Sequence, residues 1–300
     1  MCKKLPPVPY DHTPNILLIG NGILRAFGGD SWNDLIDDIM KGNKNQRERD
    51  TIHNLPYSLQ IIAASDDSVN SAMQKISSKM IASKTPNQEC EDLIRLIVDR
   101  YDCVLTTNYS YELERTLIPD FYIKPSVSSK FRFSSIKGID TRNDFCLHQY
   151  MEACLDSSRR LPIWHIHGEA AKPSTMIMGQ YFYGKHLSKF EKEISEYNRR
   201  YAISKKAKRE YIPNGWVDYF LMGDVDIIGF GMDFCETDIW WLICSKKRND
   251  ESGSRINWYE LSPSVEKRAM AEVYGINVIS DTDIYKQFYT RIANNNQLYQ

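Results

Sequence analysis

Two histidines, His165 and His167, alternate within the apolar run PIWHIHGEA, so both side chains fall on one face of a strand that turns at Gly168. An imidazole of ordinary pKa, near ~6.5, accepts a proton at neutral pH. One of the pair is therefore a candidate general base beside a structural neighbour. Two histidines at this spacing also suit a metal, but no third ligand group stands near them and the expectation is no metal. A second polar group ends another apolar run: in DCVLTTNYSYELE, Thr106, Thr107 and Asn108 sit at its C-terminal end, with Ser110 just beyond. Small hydroxyl and amide groups there suit hydrogen bonds to a ribose or an amide, while a helix cap accounts for any one of them taken singly.

Glycines mark the other two candidate segments. In ILLIGNGILRAFGG, Gly20 and Gly22 flank Asn21 directly after a strand-like run. Such a loop lets the backbone approach a pyrophosphate with the next helix's amides facing the anion. A plain strand–turn–helix accounts for the glycines equally well, and Arg25 stands where a dehydrogenase fingerprint has its third glycine. In VDIIGFGMDFCETDIWW, Gly229 and Gly231 again permit close approach, Asp233 is a candidate helix cap, and Trp240 and Trp241 read as packing residues.

The elements that position these residues follow from the apolar pattern. Runs at 16–19, 103–105, 163–166 and 225–228 are continuous rather than alternating, as in buried parallel strands, with weaker ones at 256–261 and 278–279. Helical spacing occupies 34–40, 69–82 and 91–100, while the charged stretch 185–209 reads as one or two exposed helices ended by Pro213–Asn214–Gly215. Strand followed by helix, repeated, predicts an α/β fold. The expectation is a Rossmann-like doubly wound parallel sheet in a single domain over 1–300, with helical insertions near 120–160 and 185–214. Each candidate segment then ends a strand, where open α/β sheets bind ligands.

Composition excludes several classes. A chain of 300 residues with 42% hydrophobic and 26% charged residues supports a large core. Its formal net charge of −1 gives no basic field for nucleic acid or anionic lipid. No run approaches the ~20 apolar residues of a membrane span, and the first residues lack the apolar stretch of a secretory signal. Seven scattered cysteines without a CxxC pair fit a reducing cytoplasm, with Cys103 and Cys235 as small core residues.

Taken in order, Gly-x-Gly after a first strand, Thr-Thr-Asn-Tyr, His-Gly and Gly-Phe-Gly resemble the sirtuin fold. More narrowly, they resemble the sirtuin-like NAD hydrolases that act as effectors of prokaryotic antiphage defence. The likeness runs from Ile16 to about Ile279, with weaker echoes at 54–59 and 179–184. It implies NAD as substrate, with the loop of Gly20, Asn21 and Gly22 on the pyrophosphate. It implies Asn108 on the nicotinamide ribose or a water, Thr106, Thr107 and Ser110 beside it, and His167 as base. Gly229 and Gly231 face the phosphates and ribose from the opposite strand, and Glu260 or Ser262 approaches the adenosine. Three departures stand out. Ser110 replaces an acid that sirtuins use on the carboxamide, Ile23 and Leu24 occupy the place of the loop's small hydroxyl residue, and the four-cysteine zinc module of protein deacetylases is missing. Deacylation is thereby disfavoured.

The activity implied is cleavage of the nicotinamide–ribose bond through an oxocarbenium-like state, giving nicotinamide and ADP-ribose. Because such a hydrolase would exhaust its own cell, control is expected from self-assembly into a homo-oligomer or from a regulatory partner. In the resembling family that partner is a helicase-like ATPase, a nucleotide-sensing protein or an argonaute-like protein. The alternatives are an NAD or ADP-ribose sensor subunit without chemistry, and an ADP-ribosyltransferase.

Overall fold

A computed structural model of the protein describes residues 5–40, 44–65, 69–82, 86–119, 121, 145–155, 159–248, 253–281 and 284–294. Seven strands form one sheet: β1 (Asn15–Ile19), β2 (Cys103–Thr106), β3 (Met151–Cys154), β4 (Arg160–His165), β5 (Asp224–Ile228), β6 (Ile256–Tyr259) and β7 (Ile276–Ile279). Their order across the sheet is β3-β4-β2-β1-β5-β6-β7. Every neighbouring pair is parallel except β3 with β4, which is antiparallel. With that edge strand set aside, the chain steps outward from β1 through β2 and β4, returns to the centre, and steps outward again through β5, β6 and β7. This is the doubly wound order of Rossmann-like sheets, and its switch point lies between β1 and β5.

Both faces of the sheet are covered, which explains the unbroken apolar runs. Ile16 and Leu18 point into one core with Trp164, Phe190, Trp216 and Ile239, and Leu17 and Ile19 into the opposite one with Ile94, Ile97, Leu113 and Phe288. A third cluster joins the helices Trp32–Met40, Gln46–His53, Tyr57–Ala64 and Val69–Ile81. These lie between β1 and β2 in sequence and pack against Met176 and Met178, beyond β4.

Some expectations change. The charged stretch is one helix, Gln180–Lys206, that buries Tyr183, His186, Phe190, Ile194 and Tyr197 along one face. Its polar periodicity hid a buried stripe that is aromatic but for Ile194. β3 escaped notice because it is four residues long and only partly buried. Cys103 is core, but Cys235 is only half-buried: its thiol donates to Asp233 Oδ1 at 2.7 Å. Of the insertion expected near 120–160, residues 120, 122–144 and 156–158 lie outside the described residues. No helix among the described residues is long and apolar enough to cross a membrane.

Candidate functional site

The register brings the four motifs together. Ile19 pairs with both Thr106 and Ile228, and Thr106 pairs with His165. Gly20, Thr107, Ile166 and Gly229 are each the next residue along these parallel strands, so all four loops leave the sheet at its C-terminal edge. Backbone bonds lace them together there: Thr107 N–H donates to Ile19 O at 3.3 Å and Ile166 N–H to Thr106 O at 2.9 Å.

At the switch point the two glycine loops press on each other. Gly20 N–H donates to Ile228 O at 3.0 Å and Gly22 N–H to Gly229 O at 2.7 Å. A Cβ on Gly20 would meet Gly229 O at 2.5 Å, and one on Gly22 would meet Gly229 Cα and Tyr289 Oη at 2.7 Å. The glycines are thus required by loop-to-loop contact, and their own amides are spent. An anion at this loop must use the amides of Ile23 and Leu24 in the following turn, Gly22–Ala26, since Arg25 N–H already donates to Asn21 O at 3.0 Å; Asn21 precedes that turn, and its side chain donates to Asp30 O at 2.7 Å. Arg25 is exposed on that turn, and Lys267 Nζ donates to Gly231 O at 2.8 Å, so a cation flanks each glycine loop. Gly229, at φ +65°, and Met232, a non-glycine at φ +47°, hold the second loop in the left-handed region, a strain typical of functional loops.

The Thr-Thr-Asn segment divides its labour. Thr106 is fully buried, and its Oγ1 accepts from Asn108 N–H at 3.1 Å, turning the chain rather than facing a ligand. Thr107 is half-buried. The Ser110 hydroxyl is buried and donates to the Glu112 carboxylate. Asn108 is half-buried, and among the described residues its side-chain amide makes no hydrogen bond. The Thr107 hydroxyl likewise makes none, so these two side chains are the ones left free for a ligand.

The two histidines have separate fates. His165 Nδ1 lies 2.6 Å from the Asn108 carbonyl, to which it must donate, and Nε2 lies 2.9 Å from Glu114 Oε1. Burial opposes its charge, but the Glu114 carboxylate more than compensates and lifts its pKa to about 9. His165 is therefore a buried ion-pair member that holds Asn108 from behind. His167, just past the strand, sits 2.9 Å through Nε2 from Asp238 Oδ2 and 3.9 Å from Glu236 Oε2. Here too burial is outweighed, by Asp238 and then Glu236, and the pKa rises to about 9. This departs from the ordinary imidazole expected of a base: at neutral pH the free protein holds His167 as imidazolium. Its Nδ1 has no hydrogen-bond partner among the described residues. Gly168 follows at φ +87°, where a Cβ would lie 2.2 Å from Thr175 O.

His167, Glu236 and Asp238 place one ligand atom each within 4.8 Å of one another, the only such set among the described residues. Hydrogen bonds engage three of the four carboxylate oxygens: Asp238 Oδ2 bonds to His167, Asp238 Oδ1 accepts from Ile239 N–H at 2.8 Å, and Glu236 Oε2 accepts from Tyr183 Oη–H at 2.6 Å. The set carries two carboxylates against one imidazole, and a metal bound through these atoms would have to displace the donors on Asp238 and on Glu236 Oε2. His165 is no part of it.

No family model matches the chain, and no curated protein matches it.

The remaining sequence-derived residues lie toward the outer strands. Glu260 follows β6, is half-buried, and accepts from Tyr285 Oη–H at 2.8 Å. Ser262 is exposed two residues further on. Sequence reasoning missed Asp238, Glu236 and Tyr183. The signal was the acidic pair in CETD directly after the Gly-Phe-Gly loop, since that loop delivers whatever follows it to the edge where His167 ends. Asp233 was read as the cap there, but its side chain instead accepts from Cys235 N–H at 3.0 Å and shapes the turn before the helix Thr237–Arg248. Trp240 packs against Tyr274, as expected of a packing residue, whereas Trp241 is 44% exposed.

Proposed function

We propose that this protein is a sirtuin-like NAD hydrolase that cleaves the nicotinamide–ribose bond. One observation bears most of the weight. At the C-terminal edge of a doubly wound sheet, the uncommitted Asn108 amide and the uncommitted His167 Nδ1 stand just past adjacent strands, beside the switch point where two glycine loops meet. A dinucleotide fits that layout by chemistry. Its diphosphate takes the amides of the turn after Gly20–Asn21–Gly22, with Arg25 and Lys267 as cations, and Gly229 and Gly231 flank it from β5. The adenosine extends toward Glu260 and Ser262, and the nicotinamide ribose toward Asn108 and His167, with Thr107 at the rim.

In the reaction the C1′–N1 bond breaks with its electron pair leaving on nicotinamide, which is thereby neutralised. Water adds to C1′ and loses a proton, giving ADP-ribose. Asn108 orients the ribose or the water through its amide. His167, charged in the free protein, donates Nδ1–H to a ribose hydroxyl or to the water and fixes its position. The cluster around His167 carries two carboxylates against one imidazolium, so its net charge is negative where the sugar becomes cationic. The role is an NAD-depleting effector of antiphage defence in the cytoplasm, restrained by homo-oligomer assembly or by a regulatory partner of the helicase-like, nucleotide-sensing or argonaute-like kind.

The test is to incubate the purified protein at high concentration with NAD and resolve the products by chromatography. Nicotinamide and ADP-ribose in equal amounts are expected, and both should vanish in Asn108→Ala and His167→Ala. NAD left intact, or turnover undiminished in both variants, overturns the proposal. ADP-ribose found attached to protein or nucleic acid instead would mark a transferase.

A further inference from the structure

We infer that Glu236 is a catalytic residue of this site, its carboxylate facing the reacting ribose and accepting the proton of the attacking water. The inference rests on the NAD-hydrolase reading and assigns the base that reading leaves open.

Geometry separates the two acids beside His167. Asp238 is fully enclosed, with both carboxylate oxygens committed to His167 and to backbone. It is a positioning residue, fixing the ring with Nε2 turned inward and Nδ1 outward. One carboxylate suffices to balance one buried imidazolium, so Glu236 is surplus to the ion pair. It lies 3.9 Å from His167 Nε2, beyond hydrogen-bond length. Of the three side chains it is also the most accessible, 15% exposed against 3% for His167 and 0% for Asp238. Tyr183 Oη–H, whose ring stands edge-on to His167 at 5.6 Å, holds Glu236 Oε2 at 2.6 Å. Oε1 has no hydrogen-bond partner among the described residues. A largely buried carboxylate with one oxygen clamped and the other open is arranged to meet a ligand.

Protonation agrees with this division. Burial leaves the Glu236 pKa raised although His167 and the Tyr183 hydroxyl pull it down; Asp238 and Asp233 push it further up, and Tyr57 and Cys235 are the other titratable groups around it. His167, pressed by Asp238 and Glu236, is already protonated at neutral pH and has no site for another proton. The step then balances. As C1′–N1 breaks and water's oxygen bonds to C1′, the water proton passes to Glu236 Oε1 and from there to solvent.

The deciding experiment compares kcat, KM and pH profiles for NAD hydrolysis by the wild type, Glu236→Gln and Glu236→Ala, with added formate as a probe. Glu236→Gln is isosteric and keeps the Tyr183 contact, and its melting temperature checks the fold. The inference expects Glu236→Gln to lose roughly 10²–10⁴-fold in kcat with KM changed by less than about fivefold. It also expects the acid limb of the wild-type kcat profile to disappear, and formate to restore activity to Glu236→Ala. A wild type that turns over NAD while Glu236→Gln stays within about tenfold of it, or a Glu236→Ala that formate leaves dead, overturns the role of Glu236 and spares the hydrolase reading. A wild type that leaves NAD intact overturns both.

Discussion

At the scale of single residues, the environment of His167 sets its chemistry. Its folded-state pKa of about 9 depends on two carboxylates, the nearer of which, Asp238, lies 71 positions away in sequence. Asp238→Asn should therefore drop the imidazole pKa by more than one unit toward the ordinary ~6.5, as read by NMR titration of the ring. An unchanged pKa would mean that Asp238 is not the controlling charge. His167→Ala and Asn108→Ala should each cost roughly 10²–10⁴-fold in NAD turnover, with near-native circular dichroism. The placement of these two residues past adjacent strands was legible because each follows a continuous apolar run, with Gly168 turning the chain after His167. The tuning was not, since nothing local tells which acid will fold back onto His167. Ser110 and Thr106 show the converse. Both carry groups suited to ligands, yet the fold spends one hydroxyl on Glu112 and the other on the backbone of Asn108.

At the scale of elements, glycines decide how closely the loops approach. Gly22→Ala would thrust a methyl group into Gly229 and the Tyr289 hydroxyl, whose distances of 2.7 Å leave it no room. The expected outcome is a denaturation midpoint lowered by the equivalent of about 1–3 kcal/mol, the usual cost of overpacking, together with weakened NAD binding in calorimetry. Gly231→Ala meets nothing within 4 Å and should leave the midpoint unchanged, which makes it the matched control. Central strands were legible because two-sided burial writes them as continuous apolar runs. The edge strand β3 was not, for an edge needs no such run. The helix Gln180–Lys206 was seen as charge before it was seen as a wall of the core. Lysine, glutamate and arginine dominate its composition, whereas only every third or fourth residue is buried.

For the whole molecule, two buried histidines couple stability to pH. His165 and His167 both have folded-state values of about 9 against an ordinary value of 6.5. Stability from these pairs is complete below the unfolded value and is lost as pH rises through the folded one. The melting temperature should therefore fall by several degrees between pH ~6.5 and ~9, and His165→Gln should flatten that slope in scanning calorimetry. A melting temperature that rises across this window would contradict the buried imidazolium assignment. The doubly wound architecture itself was readable from the alternation of runs, but strand order was not. Sequence gives the succession of strands, and only packing decides that the chain returns to β1 before going outward again.

That return has a temporal side. β5 seals the second flank of β1, and Gly229, which immobilises the first glycine loop, is synthesised some two hundred residues after Gly22. Until residues 224–238 have been made, Asn108 and His167 lack Asp238, Glu236 and the second glycine loop. A ribosome building this chain therefore carries an incomplete candidate site until that stretch has emerged. Under the proposed hydrolase reading, two fragments divided near Pro213–Asn214–Gly215, each silent alone, would report on their own reunion.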